Sequence, residues 1–393
     1  MMGKDTGASG GDDDSAEPPK DSGGDSSGAP SASPSDGPSD VPVQPAGPTK
    51  LPAPQKNFVM CTVSMMFKDY AAFKDVPCDY IVFDNLLIYN DKVIPTQDYE
   101  AWAAFQSFIK SQPTPKPGIS FMGAYLADMS GLVGKQPVQK ALKDLFQAGV
   151  RACGVTGVDI PTVQADQAKV TSSLKTFFTA LDSISEENVH YFGAFRIPKA
   201  AKFEGLAAFL GNVHIGVVIT HNKLWQKIVD YDNCKIRASS SWNVEGDATF
   251  ENAAYALSKV TSPDKPLGVS FSMAAYSHVI SSDTTVSDTS SAFGQKCQYR
   301  SPISYQNWCR ATGGTDGTTQ NMAVRKFNVT SRSVVSFDTK NSMEAKIKQL
   351  KTTVKYPIGV LLADIPFDMI DGTSCGSDVS LGRVKGIADV IHS

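Results

Sequence analysis

The sequence predicts an α/β protein, a closed (β/α)8 TIM barrel with a short insertion between its seventh strand and its last helix. Three observations lead there. Eight short apolar runs recur along the chain, helical-period segments lie between most of them, and the runs are apolar on both faces rather than alternating. Strands of that kind are covered twice, by side chains filling a barrel on one side and by helices on the other. The competing architecture is an open doubly wound sheet. It would place a glycine-rich phosphate turn after its first strand, and "VSMMFKDY" carries none.

Taken in order, the first run is "NFVMCTVSMMF" and the second "CDYIVFDNLLIY". The helix "TQDYEAWAAFQSFIKSQ" leads to a third strand, "KPGISFMGAYL", and the helix "QPVQKALKDLFQAG" to a fourth, "RACGVTGVDIP". Then come the helix "QAKVTSSLKTFFTALDSI" with the strand "VHYFGAFRIP", and the segment "FEGLAAFLGN" with the strand "VHIGVVITHN". The helix "TFENAAYALSKV" precedes the seventh strand, "PLGVSFSMAAY", and "SMEAKIKQLKTTVK" precedes the eighth, "YPIGVLLADIPFD". One long polar stretch rich in Gly, Ser and Thr, about 281–333, interrupts the alternation and is expected as a loop or small subdomain on the catalytic face of the barrel.

The barrel is expected over residues 57–393. Residues 1–56 are rich in Gly, Ser, Pro and Asp and almost free of large apolar side chains. Such a segment buries too little surface to offset its ordering entropy, so it reads as a disordered acidic arm acting as a spacer, with a glycosylated stalk or calcium-attracting tail as the alternative. A net charge of −3 gives no basic footprint for nucleic acid. No apolar run reaches the ~20 residues that span a bilayer. The opening "MMGKDTG" lacks the apolar stretch of a signal peptide, whereas seven cysteines and the sequon "NVT" at Asn328 point to an oxidising compartment and to glycosylation there. The expectation is a secreted, extracellular protein whose native N-terminus extends beyond the one given; a cytoplasmic protein is the alternative.

At its last helix and strand the chain becomes more specific. "VSFDTKNSMEAKIKQLKTTVKYPIGVLLADIPFDMIDGTSCG" resembles the C-terminal end of the family 18 glycoside hydrolases, the chitinases and chitinase-like lectins. "FVMCTVSMMFKDY…VPCDYIVFDNLLIY" is similar to the family's start, and "SPISYQNWC" to the segment that places a further cysteine after the insertion. The resemblance spans about residues 57–380 and implies disulfides Cys61–Cys78 and Cys309–Cys375. The first closes a loop whose chain-entropy contribution is about 3 kcal/mol. Cys234 and Cys297 are able to pair, but sequence does not settle connectivity. Cys153, in a strand, reads as a buried small hydrophobe.

The family's decisive motif, D-G-x-D-x-D-x-E, ends the fourth strand. Anchored on the following proline, it falls on "ACGVTGVD", with its aspartates at Ala152, Val155 and Gly157 and its glutamate at Asp159. In the family this glutamate protonates the glycosidic oxygen while the substrate's own acetamido group, oriented by the adjacent aspartate, attacks the anomeric carbon. Gly157 offers no carboxylate for that orientation. Asp159 is one methylene short, and ~1 Å of misplacement costs on the order of a hundredfold in rate. Losing positioned acid catalysis costs roughly a hundred- to ten-thousandfold. On the sixth strand the family's Tyr and Asp become His221 and Asn222. On the seventh its "F-Y-G-R" becomes Phe271, Ser272, Met273 and Ala274, and on the eighth its floor tryptophan becomes Ala363.

The resemblance therefore implies a barrel without hydrolase activity, a lectin or secreted protein-binding factor whose ligand is an oligosaccharide or glycoprotein. The alternative is a divergent glycosidase acting on N-acetylglucosamine-containing polysaccharide, with a second carboxylate such as Asp364 converging on Asp159; a third is a secreted surface with no sugar ligand. Asp159 reads as a hydrogen-bonded strand-end carboxylate ahead of a catalytic acid. His221 lacks any Ser or Cys nucleophile motif beside it. Asp159, His221, Asn222, Tyr125, Trp225 and Tyr276 are the carbohydrate-binding candidates. Trp242 is a further stacking candidate, with core packing or scattered exposure as the alternative for each aromatic. No cofactor is expected, and no spacing suggests a metal site.

Overall fold

The computed structural model describes residues 50–393 apart from 64–66, 97, 187, 199–201, 223–233, 245–247, 262, 283, 285–291, 313–317, 321, 329–331, 371–374 and 376–379. Most of the acidic arm, and Trp225, thus lie outside the described residues. Residues 50–56, which the sequence assigned to the arm, lie against the barrel's base. The Pro52 backbone hydrogen-bonds His190, and Lys56 Nζ reaches the Pro263 carbonyl at 3.5 Å.

The chain opens with strand β1 (Val59–Val63), then β2 (Tyr80–Tyr89), which turns back as a hairpin into β3 (Lys92–Pro95). Helix α1 (Tyr99–Lys110) follows, started by Asp98, whose carboxylate accepts from the amides of Glu100 and Ala101. Next come β4 (Lys116–Met122), α2 (Leu126–Leu132), α3 (Gln136–Ala148), β5 (Ala152–Asp159), α4 (Gln164–Ser185), β6 (His190–Arg196) and β7 (Ile215–Val218). The segment before β7 holds a 3-10 turn, Gly205–Phe209; glycines at both 205 and 211 leave too few favourable residues for a longer helix. Helix α5 (Phe250–Ser258) and strand β8 (Leu267–Ser272) complete the seventh unit.

Here the chain leaves the barrel. β9 (Ala275–Ile280), β10 (Cys297–Ile303), α6 (Tyr305–Thr312), β11 (Thr318–Gln320), β12 (Ala323–Asn328) and β13 (Ser333–Phe337) build a second, antiparallel sheet in the order β10-β9-β13-β12-β11. The sheet extends past the polar stretch 281–333 at both ends, because β9 and β13 are the apolar strands that anchor it. Helix α7 (Lys340–Thr353), β14 (Ile358–Ala363) and α8 (Gly382–His392) return to the barrel.

Eight strands pair in parallel around a closed ring, β1-β2-β4-β5-β6-β7-β8-β14, with β14 rejoining β1. Side chains alternate. Met60, Val82, Ala152, Phe192, Val217 and Leu361 fill the barrel, while Cys61, Ile81, Cys153, Phe195, Val269 and Leu362 pack outward under the helices. At the base Phe58 occupies the space that a side chain on Gly359 would need: a Cβ there would lie 2.3 Å from its ring. Cys153, free and fully buried in the outer layer, has its thiol pushed up by burial.

Two buried ion pairs lock the second sheet's exit to the barrel. Lys346 of α7 pairs with Asp338, both without exposure, and also donates to Ser240 at 2.9 Å, while Ser342 donates to the same carboxylate at 3.0 Å. Burial presses the Lys346 ammonium below the ordinary lysine range, against the opposing pull of Asp338. Arg383 of α8 donates through Nε to Asp368 at 2.5 Å and through its other nitrogens to the carbonyls of Asp338 and Met273, at 2.8 and 2.6 Å. Disulfides join Cys61–Cys78, Cys309–Cys375 and Cys234–Cys297. Near the last, His278 ties the same post-β7 stretch to β13: its Nε2 accepts from the Arg237 amide at 3.2 Å and its Nδ1 lies 3.3 Å from the Val334 carbonyl. Among the described residues, no helix is long and apolar enough to cross a membrane.

Candidate functional site at the barrel mouth

The site that the sequence singles out is the C-terminal end of β5. The side-chain alternation of this strand turns Ala152, Gly154 and Thr156 inward and Cys153 and Val155 outward. At Gly157 the order changes. Its φ is +73°, and the pairing with β6 slips from Thr156↔Ala194 to Val158↔Phe195, so Gly157 is an extra residue in a β-bulge. The inward positions preceding Asp159 are therefore Gly154 and Thr156, not the Val155 and Gly157 that proline-anchored spacing assigns. Neither pair supplies a carboxylate.

Asp159 itself stands on the rim, its side chain 66% exposed, and accepts from Arg196 Nη1 at 2.6 Å. The pair follows from register, since Asp159 and Arg196 are direct neighbours on β5 and β6. Catalytic carboxylic acids are desolvated so as to keep a proton; this one is in water beside a guanidinium. Asp364 does not converge on it. β14 and β5 face each other across the eight-strand ring, and Asp364 is buried at φ +62°, its amide donating to Thr62 Oγ1 at 3.1 Å.

Below the rim lies a layer of small polar side chains, where such barrels ordinarily carry bulky branched ones. Its centre is Asp84, an inward residue of β2 that spacing did not single out. Asp84 Oδ1 accepts from Ser120 Oγ at 3.0 Å, Thr156 Oγ1 at 2.5 Å and the Asn85 amide at 2.9 Å, and the two hydroxyls are 2.8 Å apart. Asn85 adopts φ +70° in a second bulge, where β2 slips against β4. The available signal was the polar pair Asp-Asn inside the apolar run "YIVFDNLLIY". Across the mouth, Thr220 Oγ1 donates to the Ser270 carbonyl and its amide to Ser270 Oγ, whose other neighbour is His221 Nδ1 at 2.7 Å. Asn222 Nδ2 donates to the Ala238 carbonyl at 2.8 Å. His221 and Asn222, expected on the ligand surface, are thus buried and tied into the loop that follows β7.

The aromatic candidates divide. Tyr125 ends the turn after β4 and is 47% exposed, beside the β5 bulge: a Cβ on Gly123, two residues earlier, would lie 2.5 Å from the Val158 nitrogen. Tyr276 is fully buried on β9, and Trp242 is partly buried against the outer core. Asn328 closes β12, and the remainder of its sequon lies outside the described residues. Among the described residues no group of three or more His, Cys, Asp or Glu is placed to hold a metal ion.

No protein-family model matches the chain, and a search of curated proteins gives no match. Solved structures do match. Human YKL-39, described as a pseudo-chitinase with retained chitooligosaccharide binding properties, aligns over 86% of this chain and 100% of its own at 14% identity and a TM-score of 0.61. An immunomodulatory active chitinase from Trichuris suis aligns over the same shares at 13% identity and a TM-score of 0.62. A class V chitinase from Nicotiana tobaccum, solved in complex with NAG4, aligns over 86% and 99% at 11% identity and a TM-score of 0.60. Ring closure, strand order and these alignments agree: the chain has the (β/α)8 fold of the family 18 chitinases and chitinase-like proteins.

Proposed function

We propose that this protein is a non-catalytic chitinase-like protein, extracellular, that binds an oligosaccharide or glycoprotein on the rim formed by β4, β5 and β6. One observation carries the first part. Every inward position of β5 below the rim is Ala, Gly or Thr, and the one carboxylate at the strand's end is exposed and engaged by Arg196. Tyr125 supports the second: it is an exposed aromatic on the turn packed against the bulge of β5, the strand that ends in the Asp159–Arg196 pair. An aromatic face with a carboxylate and a guanidinium is the combination that docks a sugar's apolar face and its hydroxyls. The three disulfides support secretion, and glycosylation at Asn328 would accompany it.

Hydrolysis of a fluorogenic chitobiose substrate tests the absence of catalysis; the expected result is no turnover above a heat-inactivated control. Calorimetric titration with chitooligosaccharide tests the rim, where Tyr125→Ala should cost at least tenfold in affinity. Asp84 favours the divergent-hydrolase alternative, because it is an inward-facing carboxylate just below the rim. Turnover that disappears in Asp84→Asn or Asp159→Asn would establish that alternative.

A further inference from the structure

We infer that Tyr276 decides which part of the mouth a ligand can use: it fills the side between β8 and β14 from within and confines an oligosaccharide to the rim of β4 to β6. The identity of the ligand rests on the function proposed above; the blockage does not.

Ser272 and Ala363 are inward residues in register on the adjacent strands β8 and β14. They stand where the resemblance expects a tyrosine and a tryptophan, so two large rings are replaced by side chains of a few atoms. Interiors are packed nearly as densely as organic crystals, and such a volume is filled from elsewhere. β9 begins two residues after β8, and Tyr276 turns back from it. Its hydroxyl lies 2.9 Å from Ser272 Oγ, and it forms with Ala274 a small cluster against which Phe367, of the 3-10 turn after β14, packs. No part of this side chain is exposed.

The backbone holds it there. Tyr276 is paired with Pro302 of β10 on one side and Ser336 of β13 on the other, so the ring is carried by a central strand of the second sheet. An aromatic ring binds a sugar through an accessible face, and this one presents none. Tyr125, by contrast, is exposed on β4's side of the ring. A chain of sugars therefore meets a filled half and an open half.

Titration of the full chain, Tyr276→Phe and Tyr276→Ala with NAG4 by isothermal calorimetry tests this. Tyr276→Ala should bind at least tenfold more tightly than the natural chain, or bind where the natural chain does not. Tyr276→Phe, which keeps the ring, should stay within about twofold of it. Equal affinity, or equal lack of binding, in the natural chain and a folded Tyr276→Ala overturns the inference. The rim assignment fails separately, if Tyr125→Ala leaves the natural chain's binding unchanged. For the case in which Tyr276→Ala does not fold, nitration of the natural chain with tetranitromethane, mapped by mass spectrometry, gives an independent readout. Tyr125 and Tyr299 should react and Tyr276 should not; nitration of Tyr276 at the rate of Tyr125 overturns the inference.

Discussion

The two halves of the barrel mouth differ in what water reaches. On the β4–β6 side the strand ends put Tyr125, Asp159 and Arg196 into solvent, held by one surface ion pair. On the β8–β14 side the chain departs into the second sheet and returns, and Asp338–Lys346, Asp368–Arg383 and Ser272–Tyr276 are all buried. Burying a charge is costly unless it is paired and hydrogen-bonded, so the second half is held to one arrangement by its own energetics. An exposed pair contributes ~0–1 kcal/mol and constrains little. The lesson is that this barrel keeps its rigidity where it anchors the insertion and leaves its accessible chemistry where the scaffold is indifferent to change.

The comparison breaks most readily at Lys346. Replacing it with Ala leaves the Asp338 carboxylate buried beside hydroxyls alone, and should cost about 3–5 kcal/mol in denaturant unfolding. A cost below ~1 kcal/mol would mean that the two halves are equally tolerant. A smaller effect comes from acid. Burial holds folded His278 down to about 4 from 6.5, so the unfolded chain takes up this proton first as pH falls. The stabilisation is complete above pH ~6.5 and is lost as pH drops towards ~4; at pH ~4.5 the loss is roughly 2–3 kcal/mol. His190 at the barrel base, pressed down to about 4 chiefly by burial, titrates in the same window. His278→Gln should therefore remove part, not all, of the acid sensitivity, as read from urea midpoints at pH 7 and 4.5. Least affected is the rim: Asp159→Asn or Arg196→Ala should shift stability by under ~1 kcal/mol, and a larger change would show that the rim too is structural.

How far the sequence is legible follows the same division. Eight apolar runs identified all eight barrel strands, because strands covered on both faces leave an unmistakable composition. The hairpin β2–β3 leaves no such mark: "YNDKVIP" continues the second run through a tight turn with positive φ at Asn90 and Asp91. The five-stranded second sheet read as a polar interruption, since strands exposed on one face, such as β10 with its outward Gln298 and Tyr299, lack the doubly apolar signature. Within the candidate site, residue types direct attention to the strand end, but the face each residue occupies does not follow from counting. A single residue with left-handed backbone shifts every later side chain to the other face. Asp84 is inconspicuous for a related reason, because no spacing rule marks a lone carboxylate inside an apolar run.

That additional glycine at 157 has a practical consequence for anyone wishing to build the family 18 acid motif into this strand. Grafting Asp at 155 and 157 with Glu at 159 would send the first of the new acids into the helix-packed layer and hang the second on a kink, whatever the chemistry of the graft. Such a design would have to begin by shortening the strand by one residue, so that regular alternation of side chains runs to its end before any proton donor is installed.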